Sequence, residues 1–315
     1  MIDLRRLRIL RAVAHYGTVT AAANALHFTP SAASQQIRQL GRELDVTLLE
    51  PDGRGVRLTP AARTLLDHAD AIHTRWEQAE AEMRGLGTEP SGLLRVAAFP
   101  MAVSRLLAPM AAALTAEHPR LDVRVLEAEP GECLDLLFRG GIDVTVIEAA
   151  PGAPPVTDAR FDQVPLLDDV FDLVVSDRHR LAQRTSVALA ETAAESWVLP
   201  PSGTTCHSHT MTVCAAVGFT PDGSHQALAW GSVASLVAHG LGVALIPRMA
   251  DISPDLPVTR IPLEGPYVPA RKLLTCIREG SRQNPAVAAA RTELQRLAAT
   301  ATATATAPAA VAAIA

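Results

Sequence analysis

Four residues at helical spacing, Ser31, Ser34, Gln35 and Arg38, combine hydroxyl, amide and guanidinium groups. Groups of this kind donate to and accept from base edges and phosphates in a DNA major groove. Any solvated helix face carries the same groups, so the neighbouring residues decide between the two readings. Thr29 stands where a helix N-cap belongs, and Pro30 occupies the first helical position, where a missing N–H costs nothing. The N–H groups at such a helix start also suit a phosphate. Further on, Pro51-Asp52-Gly53-Arg54-Gly55 separates two short apolar segments and reads as a hairpin tip. Arg54 and Arg57 lie on or beside that tip, placed for a phosphate backbone or a minor groove.

A second group is Cys206-His207-Ser208-His209, with Cys214 beyond it. Cys and His so close together suggest a metal, but a fourth ligand at suitable spacing is lacking, so no metal or cofactor is expected. The chain has no C-x-x-C pair, and Cys133, Cys206, Cys214 and Cys276 are expected as free, mostly buried thiols. The sequence also lacks G-x-S-x-G, a Gly-rich phosphate loop and H-E-x-x-H. An enzyme is therefore not expected.

The elements that must position these groups follow from periodicity. Leu4, Leu7, Leu10 and Val13 mark a first helix that ends at Gly17, and Arg5, Arg6 and Arg8 read as its solvated face. Thr18 caps a second helix through Ala21-Ala22-Ala23 to Leu26. After a turn at His27-Phe28, a third helix buries Ile37, Leu40 and Leu44. Two helices joined by a short turn form a helix-turn-helix, and the hairpin adds a wing. Thr59-Pro60 restarts a long helix in which Leu65, Ala69, Ile72, Trp76, Ala79, Met83 and Leu86 alternate by four and three. That repeat is a coiled-coil seam and calls for a second copy of the chain. A hinge spans 85–92. Strand and helix patterns then alternate to about residue 298, which predicts a parallel α/β sheet. The Ala- and Thr-rich end, 300–315, is expected to be disordered.

The 315 residues suffice for two or three domains. Residues 1–65 hold nine arginines against five carboxylates, although the whole chain has a net charge of -5. A basic head on an acidic body suits a polyanionic partner. With no long uncharged apolar stretch and no export signal, a cytoplasmic protein without membrane contact is expected.

Residues Thr18 to His27, Thr29-Pro30-Ser31-Ala32-Ala33-Ser34-Gln35-Gln36-Ile37, Leu40-Gly41-Arg42-Glu43-Leu44, Leu48-Leu49-Glu50 and Gly53-Arg54-Gly55-Val56-Arg57-Leu58-Thr59 together resemble the LysR-type DNA-binding domain. The later α/β pattern is similar to the family's sensor half, so the resemblance covers all but the tail. It implies an all-α winged helix-turn-helix N-terminal domain (1–59), a dimerisation helix (60–87) and a two-lobed α/β domain like that of periplasmic binding proteins (93–299). It also implies a transcriptional regulator, a homodimer or homotetramer, that binds double-stranded DNA and answers a small-molecule effector. Where the family carries Arg, this chain has Gln35 and Pro51. The loss of two cations predicts weaker nonspecific binding.

In open α/β folds a ligand sits beyond the carboxyl ends of the strands. The residues so placed are Phe99, Pro100, Met101 and Ser104 after the first strand, Glu148 after the third, and Ser202, Gly203 and Thr204 before a helix. Trp230 and Val233 wall the site. Core packing is the competing role for Phe99, Met101 and Trp230. The expected effector is an anion with an apolar part. One alternative is a redox sensor using Cys206 and Cys214, in loose resemblance to the family's peroxide-sensing branch. Another is a cytosolic solute-binding protein.

Overall fold

The computed structural model describes residues 3–53, 55–85, 89–150, 153–265 and 268–306. Helix α1 (Leu4–Tyr16) begins where the Asp3 carboxylate accepts the Arg5 N–H at 2.9 Å, and ends at Gly17 with a left-handed φ of 75°. Thr18 caps α2 (Val19–Ala25) and Thr29 caps α3 (Pro30–Leu44), each through its hydroxyl oxygen. Ala22, Ala23 and Ala33 are fully buried, so these helices cross closely, with Leu10, Val13, Ile37 and Leu40 filling the space around them. Each such large apolar side chain stabilises the head by roughly 1.5–3 kcal/mol. Arg6 departs from the expected solvated face. It donates to Gln36 Oε1 at 3.0 Å and pairs with Glu43, tying α1 to α3.

Strands β1 (Leu49–Asp52) and β2 (Gly55–Leu58) form the antiparallel wing. The long helix α4 (Pro60–Gly85) follows from Thr59, whose oxygen accepts the Ala62 N–H at 3.1 Å while its hydroxyl donates to Thr47 O at 2.7 Å. One device thus starts α4 and fastens it to the root of the wing.

The sensor half begins with β3 (Gly92–Ala98), α5 (Pro100–Ala102), a π-helical turn (Val103–Leu107), α6 (Ala108–Glu117) and β4 (Leu121–Glu127). Next come α7 (Pro130–Arg139), β5 (Val144–Glu148) and the 16-residue strand β6 (Phe161–Ser176). Then follow β7 (Val187–Ala188), β8 (Ser196–Leu199), α8 (Thr205–Ala216), β9 (Asp222–Gln226) and α9 (Trp230–Ala238). The chain closes with β10 (Ala244–Pro247), β11 (Val258–Glu264), β12 (Ala270–Arg278) and α10 (Pro285–Thr306).

The main sheet runs β4-β3-β5-β12-β6-β11-β7, with β10 also paired to β6. β4, β3 and β5 are parallel, as their alternation with helices predicts. The remainder corrects the all-parallel expectation, because β12 is antiparallel to both β5 and β6. The chain leaves the first half along β6 and returns along β12, and two strands traversed in opposite senses pair antiparallel. The early residues of β6 pair with β12, and its later residues with β10 and β11. A single strand therefore belongs to both halves of the sensor.

The terminal helix continues to Thr306, so the tail expected to be disordered from residue 300 starts as helix. Alanine has the highest helix propensity and extends it. Residues 307–315 lie outside the described residues. No helix among the described residues is long and apolar enough to cross a membrane.

The head and α4 are fastened to the sensor. A Cβ on Gly280 (φ 91°) would lie 2.4 Å from Thr74 O of α4, so only glycine permits this approach. Beside it, Arg278 binds Glu77 of α4 at 3.0 Å and Asp143 at 3.2 Å. On α1, His15 sits between Asp135 (2.7 Å) and Arg160 (2.8 Å) and stacks on Phe138 at 4.3 Å.

Candidate nucleic-acid interface and sensor cleft

The start of α3 is open. Thr29, Pro30, Ser31, Gln35 and Arg38 are exposed, and Ser34 is half-buried. Thr29 Oγ1 accepts the Ala32 N–H at 3.2 Å and lies 3.1 Å from Ser31 Oγ. The opposite stripe of Ala33, Ile37 and Leu40 is buried and fixes how this face is presented. A groove of about 650 Å³ runs between α3 and the wing, lined by Ser34, Arg38, Arg42, Glu50 and Pro51 among others. Arg38 and Arg42 are exposed and make no ion pair among the described residues. Arg57 differs, because its guanidinium lies 2.6 Å from Glu50 Oε2, directly across the hairpin. Part of the wing's positive charge is thereby cancelled. Arg54 lies outside the described residues. Arg42, one helical turn beyond Arg38, was not among the expected contacts, although the same spacing exposes both.

The α4 seam divides into two. Ala69 is buried in the head core and Leu65 packs against it, so the first two expected seam positions face inward. Ile72, Trp76 and Met83 are 45%, 57% and 58% exposed, and Ala79 is half-buried between them. Three large apolar side chains in water along one helix form an unpartnered stripe.

In the sensor, the expected residues separate by burial. Phe99, Met101 and Val233 are buried in the hydrophobic core, the competing role expected for the first two. Trp230 begins α9 half-buried, packed against two core clusters. Pro100 and Ser104 are exposed, and the Ser104 hydroxyl donates to Met101 O at 3.1 Å. Ser202 and Gly203 form an exposed turn, with Gly203 at φ 89°. Thr204 then caps α8 by accepting the His207 N–H at 3.2 Å, and its hydroxyl donates to Pro201 O at 2.8 Å.

The centre of this region holds a pair absent from the expected set. Arg271 of β12 and Asp169 of β6 are cross-strand partners, and the guanidinium reaches Asp169 Oδ2 at 2.9 and 3.0 Å. Their side chains are 4% and 0% exposed. Arg271 also lies 2.7 Å from Met101 Sδ and 5.3 Å from the Phe99 ring. Burial raises the Asp169 carboxyl above its ordinary range, and Arg271 opposes that shift. Glu148, at the carboxyl end of β5, lies 3.4 Å from His209 Nε2 of α8. Burial raises its carboxyl too, against the charges of Arg271 and His209. Residues from both halves of the sensor therefore meet around Arg271. The sequence signal was slight: a charged residue leading an apolar strand, and one carboxylate of the Asp168-Asp169 pair.

Two family models match this chain. Residues 4–63 match the bacterial regulatory helix-turn-helix protein of the lysR family, and residues 87–299 match the LysR substrate binding domain. The chain belongs to the LysR family. Among LysR-type relatives, it is 26% identical over 282 residues to the hydrogen peroxide-inducible genes activator of Haemophilus influenzae, spanning 89% of this chain and 92% of that protein. It is 27% identical over 270 residues to the transcriptional dual regulator GltC of Bacillus subtilis, spanning 85% and 88%. An OxyR mutant from Corynebacterium glutamicum shares the fold with a TM-score of 0.59 at 24% identity, over 96% of this chain and 95% of that one. CbnR in complex with its target DNA gives 0.54 at 24% identity, over 94% and 100%.

In this LysR-family chain all four cysteines are free. Cys206 is half-buried on the first turn of α8, and Cys133, Cys214 and Cys276 are buried. Burial pushes the Cys206 thiol up to about 11 and that of Cys214 up to about 12. Among the described residues, no three His, Cys, Asp or Glu side chains stand together as metal ligands.

Proposed function

We propose that this LysR-family DNA-binding transcriptional regulator reads a partly palindromic site as a dimer and responds to a small molecule held in its sensor. The observation that carries the reading is the exposed face of α3, where Ser34, Arg38 and Arg42 line an open groove beside the wing. Ser31, Ser34, Gln35 and Arg38 serve base edges and Thr29, Pro30 and Arg57 the backbone, together with Arg54, which the sequence alone nominates. The Ile72, Trp76 and Met83 stripe takes a second copy of α4, and two heads so joined address successive major grooves. Dimers paired further into tetramers fit the same scheme. The sensor then acts as two lobes hinged on β6 and β12, like a periplasmic binding protein, with the effector between them. Residues 1–59, 60–87 and 93–299 form the three working units, in a regulator of the cytoplasm.

The names of several relatives refer to hydrogen peroxide, and two cysteines on α8 make a thiol sensor the competing reading. A thiol titrating near 11 is ionised in only about one molecule in ten thousand at pH 7, and the thiolate is the reactive form. Burial keeps both thiols largely un-ionised, with Arg271 opposing the shift at Cys206, and this favours a bound effector as the first reading to test.

The test is to mix the purified protein with sheared genomic DNA, recover the bound fragments and sequence them. Enrichment of a few sites with paired half-sites, abolished in Arg38→Ala, is the expected result. Removing a base contact costs about 1–3 kcal/mol and relaxes specificity at that position, whereas removing a phosphate contact lowers the salt slope by about one. Unselective recovery, unchanged in the variant, refutes the assignment of α3 as the reading helix.

A further inference from the structure

The donors and acceptors around Arg271 do not balance. Asp169 takes two contacts from Arg271, at 3.0 and 2.9 Å, and a third from the Met249 N–H at 3.0 Å. Glu148 Oε1 has no such supply. Its side chain is 8% exposed, and its Oε1 accepts no hydrogen bond among the described residues. His209 Nε2 lies 3.4 Å away, within ion-pair range but without a hydrogen bond to it. A buried carboxylate oxygen without a donor is costly, and a native fold keeps such a group chiefly where something else satisfies it. Its position is also informative. Glu148 ends β5 in the first half of the sensor and faces α8 of the second. That is where a ligand seated between the halves would lie.

We propose that the effector carries a protonated primary amine and that Glu148 is its counter-ion. The assignment rests on the effector reading of the cleft and revises the anion expected from the sequence. An ammonium group supplies three N–H donors, and a full positive charge, to an oxygen that accepts no hydrogen bond. An anion would meet Glu148 unpaired, with the one nearby guanidinium already held by Asp169. His209 is the group that yields, turning from Glu148 as the amine enters. The apolar remainder of the ligand lies against the Trp230 side chain, which is half-buried at the start of α9.

The experiment uses the full chain and three matched probe sets built on the same carbon skeletons: primary amines, carboxylic acids and neutral primary amides. Each is titrated against wild type and Glu148→Gln while the thermal midpoint is followed. Amines are expected to raise the wild-type midpoint in a saturable way, acids to leave it unmoved, and Glu148→Gln to bind the best amine at least tenfold more weakly. Without any ligand, Glu148→Gln is expected to melt at or above the wild-type temperature, because it removes an undersupplied buried charge. Should Glu148→Gln fold poorly, His209→Gln provides the second arm. It removes the competing partner and is expected to strengthen amine binding. Acids that shift the wild type while amines do not overturn the amine assignment and leave the effector reading standing. Equal amine affinity in wild type and Glu148→Gln overturns the role of Glu148. If no set moves any of the proteins, the effector reading falls and this assignment falls with it.

Discussion

Arg271→Met isolates the buried pair at the centre of the sensor. Asp169 would keep only the Met249 N–H at 3.0 Å, with its side chain fully removed from water. Deleting one partner of a buried ion pair costs about 3–5 kcal/mol, because the remaining charge stays uncompensated. Methionine retains much of the apolar contact with Phe99 and Met101, so lost packing adds little. For a domain of this size 1 kcal/mol corresponds to about 2–4 °C, so the sensor midpoint should drop by roughly 6–20 °C at pH 7. The double variant Arg271→Met/Asp169→Leu removes both charges and should recover most of the loss, since apolar replacement of a whole buried pair is often neutral. The pH dependence has a definite sign. The Asp169 carboxyl already titrates above its ordinary value, and loss of Arg271 raises it further. An acid whose folded pKa lies above its unfolded pKa holds extra protons in the folded state, so stability falls as pH rises through that interval. The deficit of Arg271→Met should therefore be full at pH 7 and shrink toward pH 4. Thermal unfolding followed by circular dichroism at several pH values measures both effects. A single-variant cost below about 1 kcal/mol, flat with pH and unrelieved in the double variant, would refute the view that this pair is dry.

Three further outcomes follow from the linker helix and its docking. Trp76→Glu places a charge in the exposed α4 stripe and should convert dimers to monomers by light scattering, with the sensor's melting unchanged; an unaltered mass would move the interface elsewhere. Gly280→Ala puts a Cβ 2.4 Å from Thr74 O at a φ of 91°, so a loss of about 1–3 kcal/mol is expected in urea titration, while a neutral result would mean that α4 does not press on this turn. Burial and the nearby Arg11 and Arg278 lower His73 from 6.5 to about 4. The unfolded chain therefore takes up this proton first, and stability present above pH 6.5 is lost as the pH falls toward 4. His73→Leu should flatten the midpoint-versus-pH curve in that window, and parallel curves would exclude His73 as its cause.

Local signals made the head legible. Thr18, Thr29 and Thr59 cap the helices they were expected to cap, because a cap involves only residues within one turn. The first half of β6 was invisible for the opposite reason. Asp162 and Asp169 spoil its apolar alternation, and each is neutralised by arginines distant in sequence: Arg282 and Arg291, and Arg271. Pro165 within the strand obscured it further. The α4 repeat had the right period, but its first positions turn toward the head core, and periodicity cannot tell which neighbour covers a stripe. The same limit applies to Phe99, Met101 and Val233, which lie near the cleft in sequence terms yet pack into the core beneath it.

The docking of the head has a mechanical consequence. Its fastenings are Glu77 and Thr74 against Arg278 and Gly280, His15 against Asp135 and Arg160, and Arg139 on Ala25 O at 3.2 Å. All of the sensor groups in that set belong to the half that contains α7, the start of β6 and the end of β12. Head and first half thus move as a single body, and the DNA-reading face is its passenger. A molecule that draws the sensor shut turns the second half against this body without bending the protomer at its neck. On that arrangement the closing motion reaches DNA through a contact between subunits rather than through the neck of one protomer. A lone protomer would bind its effector and have nothing to tell the operator.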